Sequence, residues 1–182
     1  HHGGGRTAFA AIGTTVTLAN APLAAIPVFS GVAVNDLNVN WLANANPVGT
    51  RYEVERSTAA DFSGTADVIQ ASTLFTANFA ALSANTTYYF QVRALSHSGP
   101  PTNFTSLSST STLAAPLTSG AFPNIGESSA TVIWNAVNPT NVTEFRVLLS
   151  PDNSTATPAG DVVLPSTKPA GSVPTATLGG LA

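Results

Sequence analysis

The sequence has no cysteine and no methionine, and only 8% of its 182 residues are charged. Without cysteine there can be no disulfide, no thiolate nucleophile and no cysteine-ligated metal site. Without methionine, His1 is not expected to be a translation start. An average soluble domain is roughly 25% charged. Here the polar surface has to be built from Ser, Thr and Asn, as it commonly is in secreted and cell-surface β-proteins. The cations are scattered (Arg6, Arg51, Arg56, Arg93, Arg146, Lys168) and the net charge is −3. They cannot neutralise a row of phosphates, so no nucleic-acid partner is expected and an anionic membrane surface is disfavoured. The apolar stretch from Leu18 to Phe29 is broken by Pro22 and Pro27, and no membrane insertion is expected.

What is present points to an all-β protein. Hydrophobic residues make up 43%, enough for a buried core, and the length suits two sandwiches of roughly 90–100 residues. Leu37, Val39 and Trp41 alternate with polar residues, as do Tyr52 and Val54 against Glu53 and Glu55. Tyr88, Phe90, Val92 and Ala94 alternate with Tyr89, Gln91 and Arg93. Period-two alternation puts one set on a core face and the other towards solvent. Turn-rich stretches such as 44–49 and 96–101 separate these runs. No window reads as a capped amphipathic helix; residues 58–62 predict one helical turn at most.

The sequence also repeats itself, at an interval of about 93–95 residues. Val39-Asn40-Trp41 corresponds to Val132-Ile133-Trp134, and Thr50-Arg51-Tyr52-Glu53-Val54 to Thr143-Glu144-Phe145-Arg146-Val147. Ala21-Pro22-Leu23 corresponds to Ala115-Pro116-Leu117. The segment from Thr7-Ala8-Phe9 to Thr17-Leu18-Ala19 reads like that from Thr102-Asn103-Phe104 to Thr112-Leu113-Ala114. After a small insertion in the second copy, residues 76–82 correspond to residues 175–181.

With Trp41 on a second strand, Tyr52-Glu53-Val54-Glu55-Arg56 on a third, and Leu82 followed by Tyr88, Phe90, Val92 and Ala94, the chain resembles the fibronectin type III family. The likeness spans roughly residues 22–114 and returns from about 115 to 182 for strands A to E. It implies tandem fibronectin type III-like (immunoglobulin-like) β-sandwiches with sheets A-B-E and C′-C-F-G, the second lacking its last strands. It also implies a tyrosine corner in which the Tyr88 hydroxyl bonds nearby backbone. The core signature so defined is Trp41, Tyr52, Leu82, Tyr88, Phe90, Val92, Trp134 and Phe145. The expected division is a strand-like segment over 1–20 (the G strand of a preceding or neighbouring repeat), a domain over 21–114 and an incomplete domain over 115–182.

Nothing in the sequence converges into a catalytic constellation. His1 and His2 stand together and His97 lies in a Gly/Pro-rich loop, which is short of the three or four ligands a metal site needs. Glu53 and Glu55 share a strand face and are expected to be solvated, with Glu53 or Glu55 pairing to Arg93 across the strands. The aspartates show no calcium-loop spacing. No enzyme activity, cofactor or metal is expected. Four Asn-x-Ser/Thr sequons occur, at Asn85, Asn103, Asn141 and Asn153, as candidate glycan acceptors. Tyr89 and Phe104 are candidate exposed aromatics for a protein or carbohydrate ligand.

In a sandwich of this type the F strand lies between C and G. Losing it removes roughly three buried apolar side chains, each worth about 1.5–3 kcal/mol. The second copy is therefore expected to be completed by another strand. Copies of the chain joined head-to-tail are the expected partners, with Thr15, Val16, Thr17 and Leu18 as donor strand and a surface filament as product. The alternative is a spacer or adhesion module within a longer tandem-repeat surface protein or a secreted polysaccharide-degrading enzyme. Either role places the chain outside the cell or at its surface.

Overall fold

The alternating stretch Leu37–Leu42 forms strand β2, and its burial shows why: Leu37, Val39 and Trp41 are at most 1% exposed, with Asn38 and Asn40 half-buried on the other face. In this computed structural model the described residues are 16–64, 67–117, 120–135, 145–149, 160–164 and 175–179. Their regular elements are all strands. Seven of them, β1 (Leu23–Ser30), β2, β3 (Arg51–Ser57), β4 (Asp67–Ser72), β5 (Thr76–Phe79), β6 (Thr87–Leu95) and β7 (Thr105–Ser111), make the first sandwich.

One sheet has the order β1-β2-β5 and the other β4-β3-β6-β7, with antiparallel neighbours throughout. In the lettering of fibronectin type III domains these are A-B-E and C′-C-F-G. The two inner faces meet in one apolar cluster. Leu37, Val39, Trp41, Ala77 and Phe79 come from one sheet, and Tyr52, Val54, Tyr88, Phe90, Val92, Ala94 and Leu107 from the other. Aromatic rings interlock across it, Phe79 against Phe90 at 5.2 Å and Trp41 against Tyr52 at 5.9 Å between centroids. Strand β1 changes register between Ala24 and Phe29, where the Ile26–Pro27 peptide is cis.

The remaining strands are β8 (Gly120–Ile125), β9 (Ser129–Trp134), β10 (Phe145–Leu149), β11 (Gly160–Leu164) and β12 (Thr175–Gly179). They reproduce the first unit's pairings. Strand β9 lies between β8 and β12, as β2 lies between β1 and β5. Val39 faces Ala77 and Asn40 faces Thr76; Val132 faces Ala176 and Ile133 faces Thr175. In the other sheet Val54 faces Ile69, as Val147 faces Val162. Residues matched by the sequence repeat thus occupy matched ladder positions.

Residues 58–62, where the sequence predicts one helical turn at most, close in a single tight turn, Phe62 N donating to Ala59 O at 3.1 Å with Phe62 at φ 56°. A positive φ is incompatible with continuing a right-handed helix.

Candidate functional site

The first sandwich carries its polar chemistry on the outer face of the β4-β3-β6-β7 sheet. Strand alternation sends Glu53 and Glu55 of β3 to that face, and the register sets them opposite Arg93 and Gln91 of β6. Arg93 grips Glu53 with two nitrogens: Nη2 donates to Oε1 at 2.9 Å and Nε to Oε2 at 3.2 Å. The guanidinium also lies 4.4 Å from the ring centroid of Phe104. Gln91 Nε2 donates to Glu55 Oε2 at 2.6 Å.

The pairing of Glu53 with Arg93 follows the strand reading, but Glu53 is not solvated. It is 6% exposed, covered by the arginine that neutralises it. Phe104 and Tyr89 are half-buried rather than freely exposed. Phe104 is occupied by Arg93, so it is not an open platform for a ligand.

A second polar structure fastens the incoming chain to one end of this sandwich. Asn44 and Ala45 both have positive φ (51° and 60°), and Asn46 N donates to Ala43 O at 3.2 Å. Two successive residues at positive φ define a tight turn that suits asparagine. From it, Asn44 Nδ2 donates to Ala21 O at 2.8 Å and Asn46 Nδ2 to Asn20 O at 2.8 Å. Asn20 N donates back to Asn46 Oδ1 at 2.7 Å, and Ala19 N donates to Ser96 Oγ at 3.1 Å. The sequence marked residues 44–49 as a turn but gave no sign of this clasp, because Asn20 lies far away in the chain.

At the opposite end Ser83 N donates to the Tyr88 hydroxyl at 2.9 Å, which is the tyrosine corner. Thr112, 3% exposed, completes it: its Oγ1 donates to Ser83 O at 2.7 Å and accepts from Thr86 N at 3.0 Å. Burial pushes the Tyr52 phenol above the ordinary tyrosine value, with the side chain of Asn46 partly opposing the shift.

Of the core-signature residues, Trp41, Tyr52, Leu82, Tyr88, Phe90 and Val92 lie together in the first core. Trp134 is buried at the end of β9, and Phe145 opens β10. Thr15 lies outside the described residues. Val16, Thr17 and Leu18 are exposed and belong to no strand; Leu18 lies over Gly99, whose φ is +114°. Asn103 is exposed and Asn85 half-buried; Asn141 and Asn153 lie outside the described residues, as do His1 and His2. His97 is exposed. Among the described residues no three His, Asp or Glu side chains converge as a metal site would require.

The feature that separates the two units is an edge. In the first, β3 has β4 on one side and β6 on the other. In the second, β10 pairs with β11, and its other edge has no partner strand among the described residues.

No protein-family model and no curated protein matches this sequence. Solved structures do resemble the fold. A two-domain fibronectin type III segment of chicken tenascin superimposes with a TM-score of 0.57 at 21% identity, over 89% of this chain and 84% of that one. The fibronectin type III domain of human contactin 1 is 18% identical, with a TM-score of 0.38, over 67% of this chain and 100% of that one. That of the human collagen alpha-1(XX) chain is 17% identical, with a TM-score of 0.42, over 58% and 97%. The chain is an all-β protein with a tandem fibronectin type III-like sandwich fold.

Proposed function

We infer that the chain is a non-catalytic structural module of an extracellular or cell-surface assembly, in which copies join head-to-tail by strand complementation. What supports this is a second unit that repeats the first unit's ladders position by position, with one strand neighbour of β10, β11, among the described residues. An unpaired edge presents a row of backbone donors and acceptors to any incoming strand. The sequence repeat supplies a candidate for a donated strand: residues 7–19 read like residues 102–114, which contain β7. In the first sandwich β7 pairs with β6 rather than β3, so a donated segment of this kind would lie one strand out from β10. A head-to-tail contact need not close on itself, and its product is a filament.

The test is imaging of the purified chain together with its intact mass. Fibres that dissolve in denaturant to single chains of 18.4 kDa support assembly by strand exchange. A chain deleted for residues 1–18 that still polymerises with the same repeat sinks it.

A second reading is favoured by the likeness to a two-domain tenascin segment. Under it the chain is a spacer or adhesion module within a tandem array, and the edge of β10 is filled by the same polypeptide. Single particles that remain monomeric at all concentrations favour this outcome.

A further inference from the structure

At the end where the chain enters the first sandwich, the polar groups are arranged as a receptor for a peptide, and the peptide is the chain's own segment, residues 18–22. A carboxamide offers an acceptor and two donors. That of Asn46 uses both kinds on one residue: Oδ1 accepts from Asn20 N at 2.7 Å, and Nδ2 donates to Asn20 O at 2.8 Å. Asn44 Nδ2 donates to Ala21 O at 2.8 Å and Thr105 Oγ1 to Pro22 O at 2.8 Å, while Ser96 Oγ accepts from Ala19 N at 3.1 Å. These contacts touch only the main chain of the segment. One more reads residue type, as Asn20 Nδ2 donates to Asn44 O at 3.1 Å. Pro22 is fully buried, and Leu18 lies over Gly99.

Water competes for every exposed hydrogen bond, so each contributes modestly. Here they converge on four consecutive residues, 19–22, that belong to no strand. The turn that aims the two amides is itself strained, with Asn44 at φ 51° and Ala45 at φ 60°. Asparagine tolerates that region, but alanine has no polar side chain to offset its cost. Strain kept at one place in a fold marks a constraint imposed there.

The second unit shows that the sandwich does not need this arrangement. It repeats the first unit's ladders, yet both halves of the receptor are shorter in its sequence. Ala19-Asn20-Ala21-Pro22 corresponds to Ala114-Ala115-Pro116, with no counterpart of Asn20. Ala43-Asn44-Ala45-Asn46-Pro47 corresponds to Ala136-Val137-Asn138-Pro139, with one asparagine in place of two. Pro116 is exposed where Pro22 is buried. Ligand and receptor occur together in one unit and are missing together from the other, as two parts of one device would be.

We propose that Asn44, Asn46, Ser96 and Thr105 form a binding site for residues 18–22, and that its occupancy fixes the direction in which the preceding chain leaves the first unit. Such a joint serves a filament subunit and a module of a tandem array alike.

Because the chain has no cysteine, spin labels attach only where cysteines are introduced. The full chain carrying Thr17→Cys and Ser109→Cys is diluted into unlabelled chain, and label separations are read by double electron–electron resonance. A single narrow separation is expected, broadening about twofold when Asn46→Ala is added and the segment samples many directions. In parallel, hydrogen exchange is read by mass spectrometry on the peptide covering residues 16–23. Asn46→Ala should speed its exchange about fivefold, the worth of one net hydrogen bond. Asn46→Asp keeps the acceptor for Asn20 N and should retain most of the protection. A broad distribution in the unaltered chain, or equal widths with and without Asn46→Ala, overturns the proposal. So does equal loss of protection in the Asp and Ala variants, which assigns the effect to the turn rather than to its amide. If residues 83–88, at the other end of the sandwich, also lose protection in Asn46→Ala, Asn44→Gly takes its place with the same outcomes, since glycine keeps the positive φ without strain.

Discussion

Arg93 reaches across from β6 and holds Glu53 through three contacts of 2.9 to 3.2 Å, so that a carboxylate only 6% exposed sits neutralised under its own partner. The pair is a charge-assisted fork, and Phe104 closes the other face of the guanidinium. Its contribution depends on both members being present.

Removing Arg93 as alanine leaves Glu53 buried without compensation. We expect a loss of about 1–2 kcal/mol, below the figure for a fully buried pair because the Arg93 side chain is 28% exposed. A double-mutant cycle with Glu53→Gln, read by urea denaturation, should give a coupling of about 1 kcal/mol. R93K should recover only part of it, since an ammonium cannot reproduce the fork. A coupling near zero would show that the two residues are merely neighbours.

The tyrosine corner predicts a smaller, sharply defined effect. Tyr88→Phe removes the oxygen that accepts from Ser83 N and leaves the ring in place. A loss of about 1 kcal/mol is expected, seen as a lower urea midpoint with an unchanged slope. Thr112→Val should cost a similar amount, because it frees Ser83 O and Thr86 N at the same corner. The two losses should not add, as both substitutions loosen one turn.

Gly99 separates backbone strain from crowding. Its φ is +114°, and a Cβ placed there would lie 2.9 Å from Leu18 Cδ2. Leu18 is 60% exposed and can swing its methyl group away, so the contact is cheap to relieve. Gly99→Ala should therefore lose about 1–3 kcal/mol through the backbone alone. Combining it with Leu18→Ala should recover less than about 0.5 kcal/mol by thermal denaturation. Full recovery would mean that the side-chain contact dominates.

Tyr52 predicts a limit on the alkaline side. Burial holds its phenol above the ordinary value of 10.0, so the unfolded chain releases this proton first. Above that pH the unfolded state binds fewer protons than the folded one, and stability falls as pH rises through the raised value. Below pH 10 the contribution is fully present. Tyr52→Phe should flatten this alkaline decline in denaturation midpoints measured from pH 8 to 11. An unchanged decline would assign it to other groups.

The strands could be read from the sequence because the signal is local. Leu37, Val39 and Trp41 alternate with polar neighbours, and a strand half in a core needs that period. The repeat carried further, since matching residues such as Val39 and Val132 stand at matching ladder positions. The burial of Glu53 could not be read in this way. A lone glutamate on an outward strand position is ordinarily solvated, and its burial requires Arg93 and Phe104 to close over it. The same holds for Asn20, whose partners Asn44 and Asn46 are brought to it by the meeting of separate loops.

By itself, then, the sequence determined the all-β class and the repeat, which follow from which residues alternate and at what interval; the two-sheet sandwich was what the resemblance to fibronectin type III domains implied. Only the tertiary structure decided which charges are buried and how the incoming chain is clasped. Those depend on neighbours across a ladder or between loops, and such neighbours are set by folding the whole chain rather than by any stretch of it.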